Sequence, residues 1–502
     1  MRLDHLTSWD ADWAGLRVVV TGLGLSGFSA ADTLIELGAR VVVVDGRDSE
    51  ENRQRADTLR IVGAADVLLG PEHQGRLPDV DGQPAQLVVT SPGWNPRQPL
   101  LAAAYDAGLE VWSDVELAWR VREREGRTPA EWLVLTGTNG KTTTVGMAES
   151  MLQAAGLRAL AVGNVGTPVL DAIRDPEGYD VLVLELSSFQ LHYTHTMSPL
   201  ASVVLNIAED HVDWHGSFEE YQAAKARIYE RTRVAAVFNA EAPETVRMVE
   251  NADVVEGCRA IGFTTDVPAV SMLGLVDGLV VDRAYIPERR ESATELASLE
   301  DFGELAARHN VANALAAAAL VRAYGVAAEA VRDGIRNYEP GAHRIQAVAR
   351  RDDILWINDS KATNPHAASA SLSAFRSVVW IAGGLSKGVD YAELVAENAD
   401  RLRGVVLIGA DTAPLRRALA EHAPDVPVFD AAVGDTGTDA ATDGSAVMHE
   451  AVRLAAGHAV PGDTVLMAPA AASMDQFASY AQRGHAFIEA VRVLMEDTPT
   501  ES

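Results

Sequence analysis

The segment Trp132–Thr143 reads WLVLTGTNGKTT. Trp132–Thr136 is a short apolar run of strand type, and a helical pattern begins at Lys141. Between them, Thr136-Gly137-Thr138-Asn139-Gly140-Lys141-Thr142-Thr143 joins strand to helix. In such a loop backbone N–H groups cradle phosphates, the lysine reaches the β- and γ-phosphates, and the hydroxyl binds Mg2+. The usual spacing G-x-x-x-x-G-K-[ST] wants glycine at 135; Leu135 stands there, so the loop is a shortened G-x-x-G-K-T. Phosphate binding explains it better than a helix entry with an incidental Lys-Thr.

The same strand–helix rhythm runs outward in both directions. Arg17–Thr21, Val41–Asp45, Asp66–Leu69 and Leu87–Thr90 precede the loop as short β-branched runs, with helical patterns such as Ser29–Leu37 between them. Asp180–Glu185, Ser202–Ile207 and Val234–Phe238 follow it. The rhythm restarts at Ile354–Asn358, Val378–Ala382, Gly404–Gly409 and Asp463–Ala468. This pattern predicts an α/β chain of three consecutive α/β domains with parallel sheets. The boundaries fall near Ser113 and near Pro340-Gly341, giving domains 1–113, 114–340 and 341–502. Pro287–Glu300 reads as charged surface, and Asp430–Ala446 as a mobile inserted loop.

A length of 502 residues agrees with about three domains at roughly 150 residues each. No stretch of ~18 apolar residues lacks a charge or a breaker, so no membrane insertion is expected. Met1–Asp12 carries Asp4, Asp10 and Asp12 and no apolar core, which argues against a secretory signal. The single cysteine, Cys258, fits a reducing, cytoplasmic setting. The net charge of −29 disfavours nucleic acid as a partner.

Other motifs sit where strands end, the side on which open α/β sheets bind ligands. Gly22-Leu23-Gly24-Leu25-Ser26-Gly27 after the first strand, with Asp45 ending the next, matches a nucleotide-diphosphate fingerprint, and a nicotinamide cofactor is one reading of it. Glu185, opening ELSSFQ, suits a Mg2+ ligand or a structural ion pair. Asp210 and His211 could bind a metal or cap a helix. In Ser217–Glu230, Ser217 and Glu220 form a capping box, while Phe218, Tyr221, Lys225, Ile228 and Tyr229 share one face. Snorkelling is the better reading for Lys225 from the residues alone; a buried neutral amine that CO2 converts to a carbamate is the other. Asn310 and Asn313 could read a base edge or cap the Ala-rich helix that follows. Seven mostly polar residues, Asn358–Asn364, are hard to explain as structure, and Lys387 and Ser473 follow further strands as anion-binding candidates.

Taken in order, GLGLSG, SPG at Ser91–Gly93, TGTNGKTT, GNVG at Gly163–Gly166, LELSSFQL, NIAEDHVDWH, YQAAKARIYE, RHNVANALAA, AHRI, NDSKATNP, AGGLSKG and SMDQF resemble the Mur ligase family across nearly the whole chain. NDSKATNP and the SMDQF–QRG ending point within it to the enzymes that add D-glutamate.

The resemblance implies a Rossmann-like N-terminal domain, a central P-loop ATPase and a Rossmann-like C-terminal domain. It implies ATP-dependent ligation of D-glutamate to UDP-N-acetylmuramoyl-L-alanine through an acyl phosphate, in cytoplasmic peptidoglycan precursor synthesis by a monomer. Ser26, Asp45, Arg47, Ser91 and Gly93 would line the UDP moiety, and Asn164, Ser187 and Gln190 the rest of that substrate. Gly137, Thr138, Asn139, Gly140, Lys141, Thr142 and Thr143, with Asn310, Asn313, Arg344 and Asp359, would hold ATP. Thr142 and Glu185 would bind one Mg2+, and His211 with a carbamylated Lys225 a second, which sets the resemblance against the snorkelling reading. Lys361, Thr363, Lys387, Ser473 and Tyr480 would meet D-glutamate. Lys141, His211, Lys225 and Lys361 are the catalytic candidates.

Three other readings stand beside this one. They are a ligase of the same superfamily with a different amino acid, a nicotinamide-dependent oxidoreductase, and a non-catalytic nucleotide-binding scaffold. The second leaves Lys141, Glu185 and Lys225 without a role.

Overall fold

In the computed structural model the chain forms two compact units, Met1–Tyr338 and Glu339–Ser502. The structure describes residues 3–497 except 165, 340, 342–344, 387–388 and 432–443.

The first unit contains two sheets. One is built from β1 (Arg17–Thr21), β2 (Arg40–Asp45), β3 (Asp66–Leu69), β4 (Leu87–Thr90) and β5 (Glu110–Ser113) in the order β3-β2-β1-β4-β5, all parallel. The other contains β6 (Glu131–Thr136), β7 (Ala159–Gly163), β8 (Val181–Glu185), β9 (Ala201–Val204), β10 (Ala235–Asn239), β11 (Arg259–Phe263), β12 (Met272–Val276), β13 (Leu279–Asp282) and β14 (Thr294–Ser298). Its order is β14-β13-β12-β11-β10-β9-β6-β8-β7, parallel from β7 to β12 and antiparallel beyond. The second unit carries β15 (Gln346–Arg351), β16 (Ile354–Asn358), β17 (Val378–Gly383), β18 (Leu402–Ile408), β19 (Val428–Asp430) and β20 (Thr464–Met467), ordered β15-β16-β20-β17-β18-β19. Only the edge pair β15–β16 is antiparallel.

The central strands read as continuous apolar runs because both faces are covered. Val18–Val20, Val41–Val44, Leu133–Leu135 and Val181–Leu184 are all buried, as parallel sheets between helix layers require. The helix Arg308–Tyr324 lays Ala314 and Ala316–Ala319 against the second sheet, all fully buried.

In each sheet the chain switches direction beside a central strand, and a crevice opens at the carboxyl ends there. β1 lies between β2 and β4, and β6 between β8 and β9. Loop 22–24 leaves β1 and loop 137–140 leaves β6. In the second unit β16, β20 and β17 are neighbours, so the loops after them converge.

Several expectations need correction. The third strand of the central set ends at Val204, and Leu205–Ile207 continue without pairing as strand. Pro287–Glu300 is not simply surface: it contains β14, whose Leu296 and Ala297 are fully buried. The ends of Asp430–Ala446 are ordered, since Asp430 closes β19 and Gly444 opens helix Gly444–His458; positions 432–443 lie outside the described residues. Among the described residues no helix is long and apolar enough to cross a membrane.

Candidate active site

Loop 137–140 leaves β6 and enters helix Lys141–Ala154. Gly140 has φ +81°, and a Cβ there would overlap the Asn313 carboxamide, so the position admits only glycine without strain. Asn206, just past β9, grips the loop from the other side. Its Oδ1 accepts from the Asn139 N–H (2.9 Å), its Nδ2 donates to the Asn139 carbonyl (3.1 Å), and its own carbonyl accepts from the Thr138 N–H (3.1 Å).

Lys141 donates to the carbonyls of Gly137 (2.9 Å) and Thr138 (3.0 Å). Thr142 donates its hydroxyl to Glu185 Oε2 at 2.5 Å. Glu185 is 3% exposed at the end of β8, and its carbonyl accepts from the Asn164 N–H (2.9 Å). An all-oxygen pair of hydroxyl and carboxylate beside a phosphate loop fits a hard cation that takes its remaining ligands from substrate oxygens and water. Among the described residues no three His, Cys, Asp or Glu side chains converge as a metal cluster.

Lys225 does not snorkel. It lies in helix Phe218–Ala226, capped by Ser217, and is 2% exposed. Its ammonium donates to Thr136 Oγ1 (3.1 Å) and to the Gly137 carbonyl (2.9 Å). Burial, and next the positive Lys141, pull the Lys225 amine well below the usual lysine range, while Asp210 and Glu185 oppose. Tyr221, one turn earlier on the helix, is buried beside it, with its ring 4.9 Å from Nζ.

Tyr221 is the hub of an aromatic wall. Its hydroxyl lies 3.0 Å from Thr138 Oγ1, and burial pushes its phenol well above the usual range. His211 is exposed, at φ +53°, with its ring 6.4 Å from Tyr221 and 4.8 Å from Phe189. His215 donates to or accepts from Ser188 Oγ at 2.9 Å, and burial pushes its pKa down to about 4.

At the first sheet, Gly22 has φ +86°, and a Cβ on Gly27 would run into the Gly22 carbonyl. Asp45 accepts from the Leu23 N–H (2.7 Å) and the Arg47 N–H (2.8 Å), so it shapes the loop as well as facing it. Ser91 packs on Gly22, while Arg47 and Gly93 are exposed. Ser187 and Gln190 form a capping box on helix Ser188–His192. Gln190 Nε2 then donates to both oxygens of Asp114 (3.2 and 3.3 Å), which also accepts from Ser26. Asp114 is 2% exposed, and burial raises its pKa. One buried carboxyl thus ties the fingerprint loop to the segment behind Glu185.

Asn310 and Asn313 are buried in helix Arg308–Tyr324. Neither caps it, because the capping position is Ala307. Thr143 lies in the first turn of helix Lys141–Ala154.

In the second unit, Asn358–Asn364 has more structural content than its polarity suggested. Asn358 donates to the Gly484 carbonyl (3.2 Å), and Asn364 caps helix Pro365–Ser373 through the Ala367 N–H (2.9 Å). Asp359 accepts from the Ser371 hydroxyl. Lys361 Nζ lies 4.1 Å over the Tyr480 ring, Thr363 is half-buried, and Ser473 is buried. The neighbouring loop contains Ala470 at φ +60°, whose N–H donates to the Ala362 carbonyl (2.9 Å). Arg344 and Lys387 lie outside the described residues.

Comparison with known proteins decides the family. The Mur ligase MurD-like N-terminal domain matches residues 16–113, the Mur ligase middle domain 135–321, and the Mur ligase glutamate ligase domain 343–471. A UDP-N-acetylmuramoylalanine--D-glutamate ligase of Streptomyces avermitilis is 55% identical, covering 96% of this chain and 99% of its own length. One from Streptomyces coelicolor is 54% identical over the same shares. The chain belongs to the Mur ligase family. In fold it resembles the crystal structure of the UDP-N-acetylmuramate-alanine ligase of Thermotoga maritima, with a TM-score of 0.55 at 17% identity, covering 95% of this chain and 99% of that one.

Sequence reasoning gave no role to four side chains of this Mur ligase: Asp114, Asn206, Tyr221 beside Lys225, and Arg483 of the QRG ending. Asp114 falls where a domain boundary was drawn, and Asn206 is the first residue of the quoted NIAEDH. Their positions at strand ends were the available signal.

Proposed function

We propose that the chain is an ATP-dependent amide-bond-forming ligase that joins D-glutamate to UDP-N-acetylmuramoyl-L-alanine, releasing ADP and phosphate. The observation that carries this is the 55% identity to a D-glutamate ligase over 96% of the chain. The packing of Lys141, Thr142, Glu185 and Lys225 around one phosphate loop supports it.

In this reading 1–113 binds the UDP moiety through Ser26, Asp45, Arg47, Ser91 and Gly93. Residues 114–340 hold ATP, and 341–502 present D-glutamate through Lys361, Thr363, Lys387, Ser473 and Tyr480. Asn164, Ser187 and Gln190 face the muramoyl substrate. Asn310, Asn313, Arg344 and Asp359 complete the ATP contacts.

A carboxylate is a poor acylating agent, so it is first phosphorylated by ATP and the acyl phosphate is then attacked by the D-glutamate amine. Lys141 turns from the Gly137 and Thr138 carbonyls toward the transferring phosphoryl group and offsets its charge. Thr142 and Glu185 would hold one Mg2+, and His211 with Lys225 as a carbamate would hold a second; such ions would supply charge neutralisation to the phosphates. The Lys225 pocket suits the carbamate. An amine kept neutral can take up CO2 with loss of one proton to solvent, and the resulting anion would lie beside the Lys141 amine, which donates to the same Gly137 carbonyl. We place the enzyme in the cytoplasm as a monomer without nucleic-acid partners, consistent with its acidity and single cysteine.

Phosphate release from ATP and Mg2+ tests the reading. Release is expected only with both UDP-N-acetylmuramoyl-L-alanine and D-glutamate. Release with L-alanine and the unextended sugar nucleotide, or with a folate and glutamate, would reassign the substrates.

A further inference from the structure

The second unit buries a cation among neutral groups. Arg483 lies in helix Tyr480–Asp497 and is 1% exposed. Its Nε donates to Ser360 Oγ (3.0 Å), one terminal nitrogen to the Ser360 carbonyl (3.0 Å), and the other to the Ala471 carbonyl (3.1 Å). All three acceptors are uncharged. Among the described residues no carboxylate forms an ion pair with the guanidinium; Asp475 acts on it only through its field. Burial pulls the guanidinium down to about 10, which still leaves it charged at neutral pH. Burying a charge without a counter-ion opposes folding. If only a brace were needed, a neutral side chain could supply it.

The guanidinium stands where three strand-end loops meet. Ser360 belongs to the loop after β16, and Ala471 to the loop after β20. The third loop follows β17: a Cβ on Gly384 would lie 3.2 Å from an Arg483 terminal nitrogen. Ser360 Oγ in turn donates to the Tyr480 carbonyl (2.7 Å), and the Tyr480 ring underlies Lys361. Removing Arg483 would therefore loosen Lys361, Tyr480 and the stretch leading to Ser473 together. Hydrogen bonds to neutral acceptors orient the guanidinium without cancelling its charge, and the dry surroundings let its field reach further than in water.

We infer that Arg483 is the positioning and specificity residue of the amino-acid subsite: it locks the loops after β16, β17 and β20 into one wall and gives that wall a fixed positive charge that favours an amino acid carrying a second carboxylate. The inference rests on the proposed reaction and adds to it a residue that need not touch the substrate. A neutral brace of the same loops would raise the D-glutamate KM equally in R483K and R483M, whereas a charged one is partly kept by lysine. A charged brace acts on the D-glutamate KM first.

The test measures phosphate release for the full-length wild type, R483K, R483M and S360A, with each of the three substrates varied in turn. R483M is expected to raise the D-glutamate KM about tenfold or more, as loss of a desolvated charge does. The KM values for ATP and the sugar nucleotide should stay within about twofold. R483K keeps the charge but not the planar fork, so its increase should be roughly threefold. S360A should also raise the D-glutamate KM alone. An unchanged D-glutamate KM in R483K or S360A overturns the inference, whether or not R483M folds. So does a parallel rise of all three KM values, or an R483K effect as large as that of R483M. If the wild type releases no phosphate with D-glutamate, the proposed reaction fails before any variant is compared.

Discussion

Lys141 and Lys225 donate to the same oxygen, the Gly137 carbonyl, each at 2.9 Å. Two amines on one acceptor repel when both are charged, and the buried partner gives way: burial first, and then Lys141, pull the Lys225 amine well below the usual lysine range.

Replacing Lys225 by alanine should lower phosphate release by at least about a hundredfold if its carbamate holds metal, since second-shell losses alone reach roughly that size. Short carboxylates added to K225A should restore part of the rate. Near-wild-type turnover of K225A would remove the carbamate from the mechanism. K225R places a permanent charge in the same pocket and should lower the melting temperature, an uncompensated buried charge costing roughly 3–5 kcal/mol.

Thr142→Val and Glu185→Gln should each reduce kcat by about a hundredfold or more, as loss of one charge-stabilising contact does. For E185Q the Mg2+ concentration giving half-maximal rate should also rise. A Mg2+ titration that overlays the wild type would separate Glu185 from the metal.

Asp114 should tolerate asparagine better than leucine. D114N keeps an acceptor for Gln190 and Ser26, matching a carboxyl whose pKa burial raises. D114L leaves buried donors unpaired, at about 1–3 kcal/mol. The readout is the sugar-nucleotide KM, expected to rise in D114L with the ATP KM little changed.

Acid should destabilise the first unit through His192 and His215. Burial lowers both to about 4, against 6.5 in the free side chain. The unfolded imidazoles take up protons as pH falls through 6.5, whereas the folded ones wait until about 4, so stability is lost across that window. Melting temperature should fall by several degrees from pH 7 to pH 5. The double variant H192Q/H215Q should show a flatter profile, and an identical slope would exclude both groups.

The parallel strands were legible in the sequence because burial on both faces writes them as unbroken apolar runs, such as Val41–Val44 and Val181–Leu184. β14 was not, because Leu296 and Ala297 face the core from within a charged segment. The phosphate loop was legible from glycine and lysine spacing. Lys225 was not, since spacing puts a lysine on an apolar face without saying whether that face is buried; here it is, with Tyr221 beside it. Asn310 showed the opposite problem: its residue type suits a cap, but the chain starts the helix at Arg308 after Ala307. Arg483 stands in the quoted QRG ending, but the motif does not say what it holds, because its partners are Ser360, more than a hundred residues away, and Ala471.

Asn206 holds both faces of the Asn139 peptide, its N–H and its carbonyl. In the proposed reading the loop is therefore already shaped when nucleotide arrives, and the ordering entropy is spent during folding, not at the moment of binding. Binding free energy that a floppy loop would consume in arranging itself stays free to tighten contacts at the transition state. Loosening this one peptide should then move the ordering cost into the binding step and weaken ATP affinity.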